Sequence, residues 1–164
     1  CNLLSRKTDY PLHLGVTESG TPKMGLLKSA MGIGGLLCMG IGDTIRVSLT
    51  ASPVAEVRAA KQILQAAGLR KTGPELISCP TCGRTRIDLI RLANEVERRL
   101  EGCGKNITVA VMGCVVNGPG EAAAADVGIA GGVGTGILFR KGKKLKTVPQ
   151  DQLVDQLMEL IESL

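Results

Sequence analysis

The sequence predicts an α/β protein in two parts, residues 1–73 and residues 74–164. In the first part, strand-like and helix-like segments alternate; in the second, a new set of short strands and amphipathic helices begins after a break at residues 71–74. The chain of 164 residues is 44% hydrophobic, which is enough to bury a core in each part. We therefore expect two successive α/β units.

The first part has the pattern of two strand–helix units. Residues 10–17 and 44–50 have the composition of strands, and residues 23–39 that of an apolar, buried helix. An amphipathic helix then begins at Pro53 and is closed by Gly68. This order predicts parallel strand pairing with right-handed crossovers. Such an arrangement occurs at the end of a (β/α) barrel or within an open doubly wound sheet, and the pattern is compatible with both.

The second part has the size and pattern of a separate α/β domain. Its strands are apolar and its helices have an apolar stripe at helical spacing. The predicted elements are strands at residues 75–78, 106–113 and 127–130, helices at residues 88–100 and 150–164, a glycine-rich turn at residues 114–121 and a hairpin over residues 136–148.

Composition argues against several functional classes. The net charge of +5 comes from residues 1–74, where nine Lys and Arg stand against four Asp and Glu, and it suits either a nucleic acid or an anionic small molecule. Only 1% of the residues are aromatic, which makes base stacking a poor expectation. The basic run at residues 140–146 is expected to form a solvated hairpin tip. We therefore favour an anionic small molecule over nucleic acid.

The sequence also indicates a compartment. No apolar stretch reaches the roughly 20 residues that span a bilayer, and the chain opens without a signal-peptide pattern. Six cysteines in such a chain favour a reduced, cytoplasmic compartment over a disulfide framework. The first residue is Cys1, so we expect the chain to be part of a longer protein.

Three cysteines form the strongest chemical motif. Cys79 and Cys82 stand in a CxxC turn, and Cys114 follows a predicted buried strand, between Gly113 and a glycine-rich turn. If the two strand ends meet, the three sulfurs surround one point, where glycine permits close approach to a bulky inorganic group. The alternatives are ordinary thiols, a dithiol redox pair or a zinc site, although the spacing of Cys103 matches no common zinc pattern.

Four motifs in this order resemble those of a known enzyme family: YPLHLGVTESG, GIGDTIRVSLT, CPTCGRT and VMGCVVNGPGEA. Nearly the whole chain resembles the C-terminal half of the bacterial 4-hydroxy-3-methylbut-2-enyl diphosphate synthases of the non-mevalonate isoprenoid pathway. The resemblance implies the C-terminal end of a TIM-type barrel (two βα units) in residues 1–73. It implies a small α/β iron–sulfur domain in residues 74–164, with the other barrel strands outside this sequence.

The resemblance also implies a reaction and a cofactor. The family reduces 2-C-methyl-D-erythritol 2,4-cyclodiphosphate with two electrons from ferredoxin or flavodoxin, opening the ring and losing a hydroxyl as water. A 4Fe–4S cluster is held by residues that match Cys79, Cys82, Cys114 and Glu121. Glu121 is also expected to be catalytic, because an oxygen ligand among thiolates leaves one iron more easily. Family enzymes are homodimers, and we expect this chain alone to be inactive.

Other residues match the family's substrate site. Glu18 matches a catalytic residue that orients the substrate or handles a proton. Arg46 and Ser48 are two residues apart on one strand, and therefore on one face, and match the diphosphate contacts. Asn117 is expected to bind substrate from the cluster loop. His13, the only histidine, is expected to pack within its strand.

A second functional class remains compatible with the sequence, a non-catalytic electron-transfer or structural metal-binding module. Such a module gains nothing from an exchangeable oxygen ligand, so the role of Glu121 separates it from the enzyme.

Overall fold

The computed structural model describes residues 1–17, 19–71 and 73–164, and of Glu121 it describes the main chain but not the side chain. The chain divides into two units, residues 1–72 and residues 73–164. Each unit has an apolar core of its own.

The N-terminal unit consists of short strands separated by helices. β1 and β2 are parallel neighbours, with His13 opposite Thr44 and Gly15 opposite Arg46, so the predicted parallel pairing is confirmed. Both strands are shorter than the predicted segments, because regular pairing stops at Gly15 and Arg46. The elements are α1 (Asn2–Ser5), β1 (His13–Gly15), α2 (Pro22–Ser29), a π-helical turn (Ala30–Gly34), α3 (Gly35–Leu37), β2 (Thr44–Arg46) and α4 (Pro53–Ala66).

Helix α4 begins and ends where its sequence predicts. The Ser52 hydroxyl accepts a hydrogen bond from the Ala55 N–H, and Pro53 occupies the first turn, where its missing N–H costs nothing. After the helix, Gly68 has a φ of +70°, which glycine adopts without strain. The Glu56 carboxylate accepts a hydrogen bond of 2.8 Å from the Leu49 N–H, which ties the helix to the chain that follows β2.

The core of the N-terminal unit lies on one side of the two strands. The long helix expected to be buried is buried on one side only, because Met24, Leu27 and Met31 are 52%, 52% and 80% exposed. Its buried side packs closely: a Cβ on Gly25 would lie 2.5 Å from Leu49 Cδ2. The prediction of a buried helix was therefore wrong for half of its surface. The buried core residues are Leu14, Ile33, Leu37, Val47, Ala59 and Ile63.

The C-terminal unit is a five-stranded mixed sheet in the order β3-β4-β5-β6-β7. β3, β4 and β5 are parallel, and β6 and β7 continue the sheet as an antiparallel hairpin. The elements are β3 (Glu75–Ser78), α5 (Leu89–Leu100), β4 (Thr108–Met112), α6 (Gly118–Glu121), β5 (Val127–Gly131), β6 (Thr135–Arg140), β7 (Lys143–Pro149), a 3₁₀ turn (Gln150–Gln152) and α7 (Leu153–Glu162).

Alternating side chains of the sheet fill two separate cores. On one face, Val109 and Val111 of β4 pack with the apolar residues of α5 and α7. On the other face, Ala110 and Met112 pack with small residues of the chain between β4 and β5. Both faces of the central strands are therefore covered, which explains why those strands read as continuous apolar runs.

The two crossovers between the parallel strands lie on opposite faces of the sheet. Helix α5, between β3 and β4, packs on the first face. Residues 114–126, between β4 and β5, pack on the second, where a Cβ on Gly118 would lie 2.7 Å from Met112 Cβ and 3.1 Å from Ala130 Cβ. Because both crossovers step in the same direction along the sheet, they have opposite hands, and one departs from the usual right-handed rule.

The basic run at residues 140–146 forms the tip of the β6–β7 hairpin, as predicted. Lys141 and Gly142 both have positive φ, 47° and 72°, which suits a tight two-residue turn. Lys143, Lys144 and neighbouring residues of β7 are exposed on this edge strand, where lysines discourage pairing with another sheet. Across the described residues, every helix is too short or too polar to cross a bilayer.

Candidate functional site

Parallel pairing brings the CxxC turn and the Cys114 loop to one edge of the sheet. In the β3–β4 register Ser78 lies opposite Val111. Cys79 directly follows β3, and Cys114 comes two residues after the end of β4. Because carboxyl ends of parallel strands point the same way, the two loops leave the sheet side by side.

Gly113 links the two loops through its main chain. Its N–H donates a hydrogen bond of 3.2 Å to the Cys79 sulfur, and its carbonyl accepts one of 3.1 Å from the Arg86 N–H. A side chain at this buried position would collide with Thr85, since a Cβ would lie 2.9 Å from Thr85 Oγ1. Glycine therefore lets the strand end before Cys114 lie directly against the CxxC turn.

Cys82 is an exposed thiol in a polar turn. Its N–H donates to Thr85 Oγ1 at 3.1 Å, and the Thr85 N–H donates to its carbonyl at 3.0 Å. Hydrogen bonding from the Arg84 main chain, and then from the Thr85 hydroxyl, lowers the pKa of the Cys82 thiol below its ordinary value of 9.0. The turn therefore favours the thiolate, which is the metal-binding form of cysteine.

Cys114 is half-buried at the start of the crossover that follows β4. Its carbonyl accepts a hydrogen bond of 3.2 Å from the Gly118 N–H. The predicted glycine-rich turn contains one turn of helix, α6, with Asn117 at its N-cap position but without a capping side-chain hydrogen bond. Glu121 ends this helix, and its side chain lies outside the described part of the chain. The sequence predicted a turn without helix here. The helical turn forms because Gly118, which lies close to the sheet, donates its N–H to the Cys114 carbonyl.

The donor set of the three cysteines fits an iron–sulfur cluster by chemical type. All six cysteines are free thiols, and Cys79, Cys82 and Cys114 lie on adjacent glycine-containing loops. Within the described residues, no three side chains of His, Cys, Asp or Glu are gathered closely enough to hold a metal ion. The main-chain link through Gly113 is therefore the direct evidence that associates the loops.

In the N-terminal unit, Arg46 and Ser48 lie on the face of the strands opposite the core. The residues between and beside them, Ile45, Val47 and Leu49, pack toward the helices. Arg46 Nη2 lies 3.4 Å from Thr17 Oγ1, and the Ser48 carbonyl accepts a hydrogen bond from the buried Ser19 hydroxyl. This arrangement presents a cation at the carboxyl ends of β1 and β2.

Gly15 makes room for the Arg46 side chain, as Gly113 does for Thr85. A Cβ on Gly15 would lie 3.0 Å from Arg46 Nη2, so the guanidinium lies across the backbone of the neighbouring strand. Glu18, predicted to be catalytic, lies outside the described residues. The structure therefore places Arg46 and Ser48 but does not describe their predicted neighbour.

His13 was expected to pack within its strand, and the structure corrects this. The residue is exposed and lies on the polar face, and its Nδ1 is 2.8 Å from Thr44 Oγ1. Its neighbour Leu14 points to the core instead. In the sequence His13 alternates with Leu14 and Val16, which pack in the core, so the period of two along the strand was the available signal.

Sequence reasoning overlooked Thr85, whose side chain lies against Gly113 where the two cysteine loops meet. Thr85 stands three residues after Cys82, a spacing at which a threonine hydroxyl often bonds a preceding main-chain group. That spacing was the available signal. The contact with Gly113 required the β3–β4 register, which the sequence did not specify.

Comparison with known proteins finds relatives of both units. Residues 1–61 match the family described as GcpE TIM-barrel domain, and residues 75–163 match the GcpE protein C-terminal domain. A Clostridium perfringens protein named 4-hydroxy-3-methylbut-2-en-1-yl diphosphate synthase (flavodoxin) is 63% identical over 162 residues. Proteins of the same name from Caldanaerobacter subterraneus subsp. tengcongensis and Geobacter sulfurreducens are 62% and 57% identical.

These matches cover 99% of this chain but 46% of each of those relatives. The chain therefore spans about half the length of the curated relatives it matches.

Proposed function

The chain belongs to the GcpE family, and we propose that it forms the C-terminal part of a 4-hydroxy-3-methylbut-2-en-1-yl diphosphate synthase. The proposed substrate is 2-C-methyl-D-erythritol 2,4-cyclodiphosphate. Its reduction consumes two electrons and two protons, opens the cyclic diphosphate by cleaving a carbon–oxygen bond, and releases a hydroxyl oxygen as water. The observation that best supports this is the Gly113 hydrogen bond to Cys79, because it joins two family motifs that are distant in sequence.

We propose that Cys79, Cys82, Cys114 and Glu121 hold a 4Fe–4S cluster. Each thiol is free and lies on a loop at the carboxyl edge of the parallel strands. The Cys79 sulfur accepts a hydrogen bond from the Gly113 N–H, and the hydrogen bonds that Cys82 accepts stabilise the Cys82 thiolate. Glu121 completes the set as an oxygen ligand that exchanges more readily than a thiolate. When bound, the cluster supplies electrons and a Lewis-acid iron for carbon–oxygen cleavage.

Arg46 and Ser48 are proposed to bind the diphosphate. A guanidinium offers several N–H donors in a fork that matches phosphate oxygens, and Arg46 lies at the carboxyl end of β2, where barrel enzymes bind substrate. Its exposed position leaves those donors open to an anion. Glu18, directly after Thr17, is proposed to orient the substrate or transfer a proton, and Asn117 to contact substrate from the crossover loop.

The electrons are proposed to come from flavodoxin, since the relatives' names specify it; ferredoxin is the alternative donor. We also propose a cytoplasmic, homodimeric full-length enzyme. Two short strands cannot enclose a substrate as a complete barrel does. The 164-residue chain alone is therefore proposed to be inactive.

The test is anaerobic purification of the full-length protein that contains this chain, followed by iron and sulfide analysis. Replacing Cys79, Cys82 or Cys114 with Ser should abolish cluster assembly and turnover of the cyclic diphosphate. Cys103→Ser is the matched control, because Cys103 is also half-buried in the C-terminal unit but lies outside the two loops.

Glu121→Ala separates the enzyme from a simple electron-transfer module. In the enzyme it should retain part of the cluster and lose most of the turnover. Normal iron in the Cys114→Ser protein would contradict the ligand set. A colourless wild-type protein that contains zinc would instead support the structural metal module.

A further inference from the structure

Thr85 lies between the two loops that bear the cysteines. Its hydroxyl accepts a hydrogen bond of 3.1 Å from the Cys82 N–H, and the same oxygen lies 4.0 Å from the Cys82 sulfur, toward which it donates. A hydroxyl has one hydrogen to donate and two lone pairs to accept. One side chain therefore satisfies the main chain of Cys82 and supplies a donor to its sulfur.

The same side chain also contacts the other loop. A Cβ on Gly113 would lie 2.9 Å from Thr85 Oγ1 and 3.1 Å from Thr85 Cγ2, so Thr85 rests against the Gly113 backbone. Gly113 in turn donates to the Cys79 sulfur at 3.2 Å and precedes Cys114 in the chain. Thr85 thus connects Cys82 to the main-chain link that Gly113 forms between Cys79 and Cys114.

We infer that Thr85 is a positioning residue of the cysteine site, which holds the Cys82 turn against Gly113 and sets the reduction potential of the cluster through its hydrogen bond to the Cys82 sulfur. The inference rests on the proposed cluster. Reduction adds negative charge to a cluster and its thiolates, and a donor at a sulfur stabilises that charge. Loss of the donor therefore makes the cluster harder to reduce.

The experiment compares three variants of the full-length, cluster-containing protein. Thr85→Val keeps the shape and removes the hydroxyl, whereas Thr85→Ser keeps the hydroxyl. Thr81→Val is the matched control: Thr81 is an exposed threonine of the same CPTC turn, and its side chain forms no hydrogen bond within the described chain. The readouts are iron and sulfide content and the midpoint potential, measured by anaerobic redox titration followed by electron paramagnetic resonance.

We expect Thr85→Val to lower the equilibrium constant for reduction of the cluster about tenfold. This factor corresponds to the free energy of about one hydrogen bond to a charged group. For a one-electron couple this is a shift of about 59 mV to lower potential. Thr85→Ser should lie near the wild-type potential, and Thr81→Val should match it.

Each other outcome decides the inference. A Thr85→Val protein with full iron and the wild-type potential would overturn it, as would an equal shift in Thr81→Val. If Thr85→Val fails to retain iron, Thr85→Ser decides: wild-type iron and potential support the hydroxyl, and loss of iron in both refutes it. A wild-type protein without iron and sulfide would refute the proposed cluster itself, which distinguishes that failure from this one.

Discussion

The two units differ in how completely they bury their own apolar residues. In the C-terminal unit, five strands separate two cores, and residues such as Val96, Ile129 and Leu157 have no exposed surface. In the N-terminal unit, two strands of three residues cover a single core. Among its described residues, ten large apolar side chains remain exposed, namely Leu3, Leu4, Tyr10, Met24, Leu27, Met31, Met39, Val54, Val57 and Leu69.

The two units therefore differ in how well their sheets support the candidate site residues. In the C-terminal unit both faces of the central strands are covered, so its cysteine loops extend from a well-packed sheet. The N-terminal unit presents its polar face, with Arg46 and His13, on a sheet of two short strands whose other face packs against helices.

The largest effect is expected from separating the units. Residues 73–164 alone should unfold in one cooperative thermal transition, because their sheet has both faces covered. Residues 1–72 alone should show no cooperative transition, because their single small core leaves many large apolar side chains exposed. Circular dichroism and amide NMR spectra of the two pieces provide the measurement. A sharp transition in residues 1–72 would contradict the comparison.

The chain's one Phe and one Tyr provide a second test, since they fall in different units. Phe139 is fully buried and Tyr10 is 82% exposed. In the 164-residue chain, Phe139→Ala should cost about 4 kcal/mol of unfolding free energy. Tyr10→Ala should change it by less than about 0.5 kcal/mol. Urea unfolding of both variants measures the difference, and equal costs would show that the burial contrast is wrong.

A third effect concerns substrate binding in the full-length enzyme. Arg46→Ala should raise KM about tenfold and leave kcat nearly unchanged, because the proposed diphosphate contact would be made equally in the ground state and the transition state. Arg58→Ala, at an exposed position of α4, is the matched control. Anaerobic steady-state kinetics with a chemical reductant would reveal the effect, and a wild-type KM for Arg46→Ala would refute the diphosphate role.

The smallest expected effect is at the Cys82 thiol of the cluster-free protein. Donation from the Arg84 main chain and from the Thr85 hydroxyl lowers the pKa of this thiol. Its thiolate should therefore appear, and its alkylation by iodoacetamide accelerate, at a pH below its ordinary pKa of 9.0. Thr85→Val should move that midpoint upward. Mass spectrometry of the Cys82 peptide measures its alkylation rate as a function of pH. An unchanged midpoint in Thr85→Val would show that the Thr85 hydroxyl does not lower the pKa of Cys82.

Much of the secondary structure could be predicted, because strand composition and helix-capping residues indicate the same elements. β3 was predicted at residues 75–78 and is observed as Glu75–Ser78. Helix α5 begins after Asp88, whose carboxylate accepts a hydrogen bond of 3.1 Å from the Arg91 N–H. Strand composition and helix caps are properties of a few consecutive residues. They are therefore visible in a sequence without knowledge of distant contacts.

The approach of the CxxC turn to the Cys114 loop depended on contacts between residues that are distant in sequence. The CxxC spacing and the Cys114 motif indicated three ligands, but the Gly113 hydrogen bond to Cys79 spans 34 residues and follows from the β3–β4 register. That contact leaves no local pattern. The exposed face of His13 does leave one, because the residue alternates with the core residues Leu14 and Val16.

Residue types and their spacing were thus enough for the α/β class and most element positions. The family resemblance of the motifs supplied the prediction that Cys79, Cys82 and Cys114 are ligands. Tertiary structure decided the opposite hands of the two crossovers, the one-sided burial of the long helix, and the role of Thr85 beside Gly113. The physical reason is the distance along the chain over which each interaction acts. Backbone propensity and capping act over a few residues, whereas which face a crossover covers and which loops meet depend on packing across the whole sheet.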